Sequence, residues 1–376
     1  MDAVLVTTSS SIVCLAGQIR KDGTYAIFGQ TKVPFSGIRK GSTVSTFGMN
    51  KGISDVILKL EEQTGKRIKR LTVGVPAPYC QVNLVKSAAP QPGRFAEEEE
   101  DLPRSFEYMA DGYEMIHRFS VPAMGTSPIG QSGSIGASRE FIAEVNAALD
   151  DLKMRASSFY AQPLAEGLFL IPKPARSAIA VLLDVGYYNI GISVFAGDAL
   201  VYCETLYIGG YHVANDLAQV LQIPLEYAEQ LKRQFSFGIE VDPGAKDYVR
   251  SAEGKLVPFE HSTVAEIIQA RGEETCSYLR QGIDHAPVTF TEKSIAQLAG
   301  DGYEGIRGVR DFLSAHVGLP VRGLPLQLAD GSTHYDVAAL ALLEAVAMDQ
   351  PEKSTRRPGW TAFYKEIGGL LKYVGF

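Results

Sequence analysis

The fold is decided by residues 183–238, with the sequence LDVGYYNIGISVFAGDALVYCETLYIGGYHVANDLAQVLQIPLEYAEQLKRQFSFG. This stretch begins at the end of the most apolar strand predicted in the chain and continues through two more predicted strands, 190–195 and 200–207. Asp184 lies at the strand tip and Gly186 follows, so a carboxylate can face a metal ion while a phosphate approaches the glycine backbone. Because Asp-x-Gly also forms ordinary hairpin turns, this motif alone does not establish a binding site.

Two glycine-containing segments downstream supply further candidate contacts. Gly209 and Gly210 come directly before a predicted helix, where exposed backbone N–H groups and the helix dipole attract anions. Gly300, Asp301 and Gly302 form a turn after an apolar stretch. That turn can lie under a nucleotide or can be only a loop.

A charged helix face lies between these two segments. Glu229, Lys232 and Arg233 are spaced i, i+3 and i+4, so they share one face of a predicted helix. The carboxylate can accept hydrogen bonds from ribose hydroxyls, and the cations can flank an adenine. A solvated helix face would have the same pattern, so this feature too needs support from its neighbours.

Working outward, the chain shows a weak internal repeat. Strand meanders at 3–28 and 177–207 are each followed by a helix, which is typical of duplicated nucleotide-binding lobes. Between them, residues 81–163 have a different composition, with Gly-, Ser- and Pro-rich segments and an acidic run at 97–101 that we interpret as a solvated loop. The sequence therefore predicts an α/β protein of two similar lobes with an inserted α+β sub-domain.

Bulk composition excludes several classes of function. The chain has 376 residues, which suits two domains, and its net charge of −7 argues against nucleic acid as a partner. Cys14, Cys80, Cys203 and Cys276 are scattered, so we expect buried reduced thiols rather than disulfides, and the six histidines show no metal-ligand spacing. No signal peptide and no run of about 20 apolar residues is visible, so any membrane contact is expected to be peripheral.

The last residues suggest such a contact. A polar linker at 349–359 precedes a predicted amphipathic helix at 360–376. Apolar residues on one face and nearby cations suit an anionic lipid surface, although a final helix packed on the core is the alternative. The residues assigned to the membrane are Trp360, Phe363, Tyr364, Ile367, Leu370, Leu371 and Val374.

The order of these features resembles the actin, chaperone and sugar-kinase ATPase superfamily and, within it, the cell-division protein FtsA family. Besides residues 183–238, the resemblance includes 264–276 (VAEIIQARGEETC) and 298–321 (LAGDGYEGIRGVRDFLSAHVGLPV). The insertion at 81–163 occupies the place of the distinctive FtsA sub-domain. The resemblance therefore implies a two-lobed actin-like fold, of the ribonuclease-H-like duplicated kind, with ATP and magnesium as cofactors.

The same resemblance implies a division of the chain into parts. These are a first actin-like lobe (1–80 and 164–183), an inserted α+β sub-domain of the FtsA 1C type (81–163), a second actin-like lobe (184–221 and 284–348), its smaller sub-domain (222–283), a linker (349–359) and an amphipathic membrane-targeting helix (360–376).

It also implies residue roles at a nucleotide site, with Asp184 contacting magnesium through metal-bound water. The implied nucleotide-binding residues are Ser9, Ser10, Asp184, Gly186, Gly209, Gly210, Glu229, Lys232, Arg233, Gly300, Asp301 and Gly302. The first phosphate motif departs from the family pattern, because Val6 replaces its aspartate and Thr8 replaces its glycine. We therefore expect an ATP binder with weak or absent hydrolysis, and we assign no catalytic residue.

The function implied is that of a cell-division scaffold on the inner face of the cytoplasmic membrane, at the division site. It would contact anionic lipid, self-associate into filaments and recruit the C-terminal tail of FtsZ near residues 222–283, with Arg271 as the first cation to test. Two alternatives stay open: a pilus-assembly actin homologue of the PilM type, and an ATP-dependent small-molecule kinase.

Overall fold

The computed structural model describes residues 1–20, 24–35, 38–39, 42–43, 46–86, 109–121, 131–239, 244–303, 305–323 and 335–348. The acidic run at 97–101, the linker at 349–359 and the predicted terminal helix at 360–376 lie outside the described residues.

Runs of strands are separated by helices along the described chain. In order, they are β1 (Asp2–Thr7), β2 (Ser11–Ile19), β3 (Tyr25–Pro34), β4 (Ile38–Arg39), β5 (Ser42–Thr43), α1 (Thr46–Thr64), β6 (Arg70–Val75), a 3-10 turn (Ala77–Tyr79), β7 (Cys80–Lys86), β8 (Tyr113–Val121), β9 (Gln131–Ser138), α2 (Arg139–Asp150), β10 (Ser158–Ala161), α3 (Gln162–Leu170), α4 (Lys173–Arg176), β11 (Ile179–Val185), β12 (Ile190–Ala196), β13 (Ala199–Leu206), α5 (Gly210–Leu221), α6 (Leu225–Gln234), β14 (Lys246–Arg250), β15 (Leu256–Glu260), α7 (His261–Asp284), β16 (Ile295–Ala299), α8 (Val309–Val317), β17 (Val321–Gly323) and α9 (Val337–Met348).

Two five-stranded sheets share one plan. The first has the order β10-β6-β1-β2-β3 and the second the order β13-β12-β11-β16-β17. In each sheet, three antiparallel strands form a meander and two further strands run parallel to its first strand. Parallel connections need helical crossovers, which cover the sheet faces and explain why β1, β2, β11 and β12 are almost continuously buried.

Each sheet has its own hydrophobic core. The first core takes Ile53, Val56, Ile57 and Leu60 from α1 and nearly every residue of α9. Apart from Glu344, which accepts a hydrogen bond from the Tyr25 hydroxyl, α9 is apolar on every side, as expected of a helix with no solvent face. It packs on α3 and on the first sheet, although it follows the second sheet in the chain.

The region around residues 81–163 contains a separate small sheet, β7-β9-β8, which is antiparallel throughout. α2 lies beside it, and its N-cap residue Ser138 accepts a hydrogen bond from the Phe141 backbone N–H. Phe141 stacks on Tyr79 with ring centroids 4.8 Å apart. α2 buries its apolar face, formed by Phe141, Val145, Ala148 and Leu149, in the first core.

Among the residues that the structure describes, Arg176 is the largest fully buried side chain, 1% exposed, and it ends α4, the short helix before β11. Its Nε donates to Asp198 Oδ1 at 2.9 Å, and a terminal nitrogen donates to the carbonyl oxygens of Leu168 and Ile171. These bonds join the end of α3 to the turn between β12 and β13.

Arg176→Met should lower the free energy of unfolding by about 2–4 kcal/mol, because both carbonyl groups lose their donor inside the protein. Urea denaturation measures the change. Arg155→Met, at an exposed arginine, is the control and should stay within about 0.5 kcal/mol. Equal losses in the two variants would contradict a structural role for the buried guanidinium.

Candidate functional site: a cleft between two matching hairpins

The site lies where the β1–β2 hairpin of the first sheet contacts the β11–β12 hairpin of the second sheet, called here the first and second hairpins. Ser9, in the turn between β1 and β2, is 6% exposed. Its hydroxyl oxygen accepts hydrogen bonds from the backbone N–H groups of Tyr187 at 3.1 Å and Tyr188 at 3.2 Å, in the turn between β11 and β12. The Thr8 hydroxyl shapes the first turn by accepting from the backbone N–H of Ser11 at 3.0 Å. The two matching turns are therefore in direct contact.

Glycines bring two more segments of the chain against the second hairpin. The Gly210 N–H donates to the Gly186 carbonyl oxygen at 3.1 Å, and the Gly302 N–H donates to the Val185 carbonyl oxygen at 2.7 Å. A Cβ atom on Gly210 would lie 2.0 Å from the Gly302 carbonyl oxygen, and one on Gly209 would lie 2.4 Å from that of Gly186. Only residues without a side chain can pack backbone against backbone in this way.

The helix face predicted from the sequence is partly turned inward. Lys232 is 2% exposed, and its Nζ lies 2.8 Å from Glu229 Oε2 and 3.2 Å from the Gly210 carbonyl oxygen, to which it donates. Burial lowers the pKa of Lys232, while the hydrogen bond to Glu229 acts in the opposite direction. Arg233 is largely exposed, so it lies at the rim of the site.

Aromatic rings fill the space beside these groups. Tyr187, Tyr188 and Tyr211 form a tyrosine cluster with ring centroids 4.8 to 5.7 Å apart. Lys232 Nζ lies 5.4 Å from the centroid of the Tyr187 ring, within range of a cation–π contact. Tyr187 and Tyr188, with Asn189, stand at positions where the FtsA resemblance leads one to expect small residues.

Several carboxylates lie close together on the side of the second hairpin away from Lys232. Burial raises the pKa of Asp184 to about 7, and the negative charges of Asp301 and Asp336 add to the rise. Glu166 on α3 is 4% exposed and accepts a hydrogen bond from Gln162 Nε2 at 2.8 Å. Burial raises the pKa of Glu166 well above its ordinary value, and Asp184 raises it further.

Within the described ranges, no group of three or more acidic, histidine or cysteine side chains is arranged to hold a metal ion. The contact of Asp184 with magnesium-bound water stays a prediction from the family resemblance. Val6 is completely buried in the first core and brings no charge to the cleft.

The structure brings most of the predicted site residues together. Those that meet around the second hairpin are Ser9, Asp184, Gly186, Gly209, Gly210, Glu229, Lys232, Gly300, Asp301 and Gly302. Ser10 lies in the same turn as Ser9, where its carbonyl oxygen accepts from the Phe35 N–H at 2.9 Å. Arg271 lies on α7, where Asp216 and Glu274 hold its guanidinium, and the predicted membrane residues lie outside the described chain.

Sequence reasoning missed two carboxylates near Asp184, those of Glu166 and Asp336, and it missed Gln162, which donates to Glu166. Gln162 and Glu166 are four residues apart in the otherwise apolar helix QPLAEGLFL, and that pair was the available indication. Asp336 precedes α9 and bonds to its Ala339 N–H at 3.3 Å. Its proximity to Asp184 depends on the return of α9 to the first core, which periodicity does not reveal.

Comparisons with known proteins agree with this geometry. The family model described as "Cell division protein FtsA" matches residues 181–324, which include the second hairpin, the glycine turns and α7. FtsA of Pseudomonas aeruginosa is 22% identical over 295 residues, covering 71% of this chain and 69% of the relative. This chain is a diverged, FtsA-like protein. The resemblance inferred from its motifs is confirmed.

Solved structures show the fold of this FtsA-like chain. The PilM–PilN type IV pilus biogenesis complex contains a chain with a TM-score of 0.63 at 12% identity, covering 92% of this chain and 98% of that one. MreB5 of Spiroplasma citri, bound to ADP, gives a TM-score of 0.55 at 8% identity, covering 94% and 98%. At these identities the likeness concerns the fold, and the predicted two-lobed actin-like architecture is confirmed. None of the helices in the described ranges is long and apolar enough to span a bilayer.

Gly210→Ala should destabilise the FtsA-like chain by about 1–3 kcal/mol, because the new Cβ atom would overlap the Gly302 carbonyl oxygen. Gly191→Ala is the matched control, since a Cβ atom there meets its nearest neighbour at 3.6 Å. Chemical denaturation compares the two variants. An unchanged Gly210→Ala variant would show that the glycine turns are not closely packed.

Stability should fall as the pH rises from about 4 to 7, measured by thermal unfolding in EDTA without nucleotide. The native protein keeps the Asp184 proton up to a pKa of about 7, whereas the unfolded chain releases it near the ordinary value of 3.8. The stabilisation is therefore complete at low pH and is lost as the pH passes 7, and Glu166 acts in the same direction. Asp184→Asn should flatten the profile; a slope as steep as that of the unmodified protein would contradict this assignment.

Proposed function

We propose that this FtsA-like chain is a cell-division scaffold that binds the inner face of the cytoplasmic membrane at the division site and recruits FtsZ filaments. The observation that carries the proposal is the FtsA family match across residues 181–324, which contain the second hairpin, both glycine turns and all of α7. Membrane attachment rests on the amphipathic pattern of residues 360–376. FtsZ recruitment, and self-association into filaments, rest on the family resemblance.

ATP with magnesium is the proposed ligand of the cleft. The paired N–H groups of Tyr187 and Tyr188 suit a phosphate oxygen, and the buried Lys232 supplies a cation beside the glycine turns. Asp184 would contact metal-bound water. A bound nucleotide would supply a phosphoanhydride, but the first hairpin offers buried Val6 in place of a carboxylate, so the proposal includes weak or absent hydrolysis.

The proposed FtsZ-binding surface is the smaller sub-domain around residues 222–283. Arg271 contacts Asp216 and Glu274 there, so an acidic tail would have to compete with these carboxylates. The contacts fix the guanidinium at the surface of α7, where it is about a quarter exposed. Competition of this kind favours a weak, reversible contact over a tight one.

Co-sedimentation with vesicles tests the membrane part. The full chain should pellet with vesicles rich in anionic lipid, and deletion of 360–376 should abolish pelleting. Phe363→Glu should reduce pelleting at least tenfold by placing a charge on the apolar face, whereas Glu366→Gln on the polar face is the control. Undiminished pelleting after the deletion would refute attachment through this segment.

Addition of FtsZ to the same vesicles tests recruitment. FtsZ should pellet only with the full chain, and Arg271→Ala should reduce its recovery without changing the pelleting of the chain itself. Arg155→Ala, at an exposed arginine, controls for loss of positive charge. Vesicle-bound protein that never recovers FtsZ would leave the PilM-type alternative in its place, while ATP turnover stimulated by a small sugar or carboxylate and lost in Asp184→Ala would indicate a kinase.

A further inference from the structure

The Ser9 contact has the chemistry of a phosphate contact. Two consecutive backbone N–H groups at a hairpin turn form a small concavity that binds anionic oxygen atoms. Here both groups donate to a single oxygen, the hydroxyl of Ser9, from a turn 178 residues away in sequence. We propose that Ser9 is an internal latch, which occupies the acceptor position of a nucleotide phosphate and holds the two lobes together until nucleotide displaces it.

The surroundings of Ser9 are built for this contact. Gly186 makes it possible, because a Cβ atom at that position would lie 2.8 Å from the Ser9 hydroxyl oxygen. The Gly186 N–H itself donates to the Asn189 carbonyl oxygen at 2.8 Å, which fixes the turn with the next two N–H groups available to Ser9. On the opposite turn, the Thr8 hydroxyl accepts from the N–H groups of Ser10 and Ser11 at 3.2 and 3.0 Å, which presents Ser9 at the tip.

Latch and phosphate exclude each other. The two N–H groups already converge on one oxygen, and Ser9 is 6% exposed, so a phosphate oxygen enters only if the serine withdraws. Hydrogen bonds to an anionic oxygen are about twice as strong as those to a neutral hydroxyl, so the exchange favours phosphate once it arrives. Opening the contact between the turns is the cost that the nucleotide must overcome.

The latch rests on the proposed nucleotide function. Its two claims, the contact between the lobes and the competition with phosphate, can be tested separately. The contact between the lobes is tested without any ligand. Competition with phosphate is measured with ATP and Mg²⁺. Ser9→Ala and Ser9→Gly both remove the acceptor without adding bulk, and Ser277→Ala on the exposed side of α7 is the matched control.

Hydrogen–deuterium exchange of the nucleotide-free full chain is the first measurement. In the peptide covering residues 184–190, the N–H groups of Tyr187 and Tyr188 should exchange at least fivefold faster in both Ser9 variants than in the unmodified protein or in Ser277→Ala. Exchange at an unchanged rate in both variants overturns the latch, whatever the nucleotide does.

Calorimetric titration with ATP and Mg²⁺ is the second measurement. Both Ser9 variants should bind about tenfold more tightly, a factor that corresponds to about 1.4 kcal/mol. Faster exchange without any gain in affinity, in a protein that does bind ATP, overturns the competition. If no variant binds ATP while exchange is still faster, the proposed nucleotide binding fails and Ser9 is established only as a clamp between the lobes.

Discussion

Backbone-to-backbone packing at the second hairpin is the constraint on which the rest of this structure depends. Val185 and Gly186 present carbonyl oxygens to the N–H groups of Gly302 and Gly210, so three separate segments meet without an intervening side chain. This arrangement fixes the start of α5 and the turn after β16 relative to the same strand tip. The packed backbones in turn fix the positions of the side chains around them, which are Asp184, Lys232 and the tyrosine cluster.

The close packing of these backbones also buries charged side chains. Lys232 reaches the Gly210 carbonyl oxygen from α6 and is neutralised by Glu229, so a cation and its counter-ion lie within the packed region rather than in water. On the far side of the hairpin, burial raises the pKa values of both Asp184 and Glu166, and the charge of Asp184 raises that of Glu166 further. The cleft therefore combines a compensated positive side with an uncompensated negative side.

Much of this arrangement was predictable from local sequence. The strands and their repeat, the glycines before α5 and the glycine turn after β16 follow from apolar runs and turn chemistry, and the structure brings them to one place. Other features depend on distant contacts. The helical spacing of Glu229 and Lys232 is the same whether the face is solvated or buried, and nothing near Ser9 in the sequence identifies Tyr187 and Tyr188 as its donors. The position of α9 could not be predicted either. A helix that is apolar on almost every side has no periodicity to indicate which sheet it covers.

The position of α9 also has a consequence for the order of folding during synthesis. The absence of side chains at Gly17 of β2 and Gly74 of β6 leaves room for Leu343 and Leu342. A helix from the end of the described chain therefore packs on strands from its beginning. A nascent chain emerging from the ribosome must keep that apolar surface open while the whole second sheet is made. The first lobe is thus complete only after residues 337–348 have been translated. Until then, a chaperone would bind the face of the first sheet that α9 covers in the folded protein.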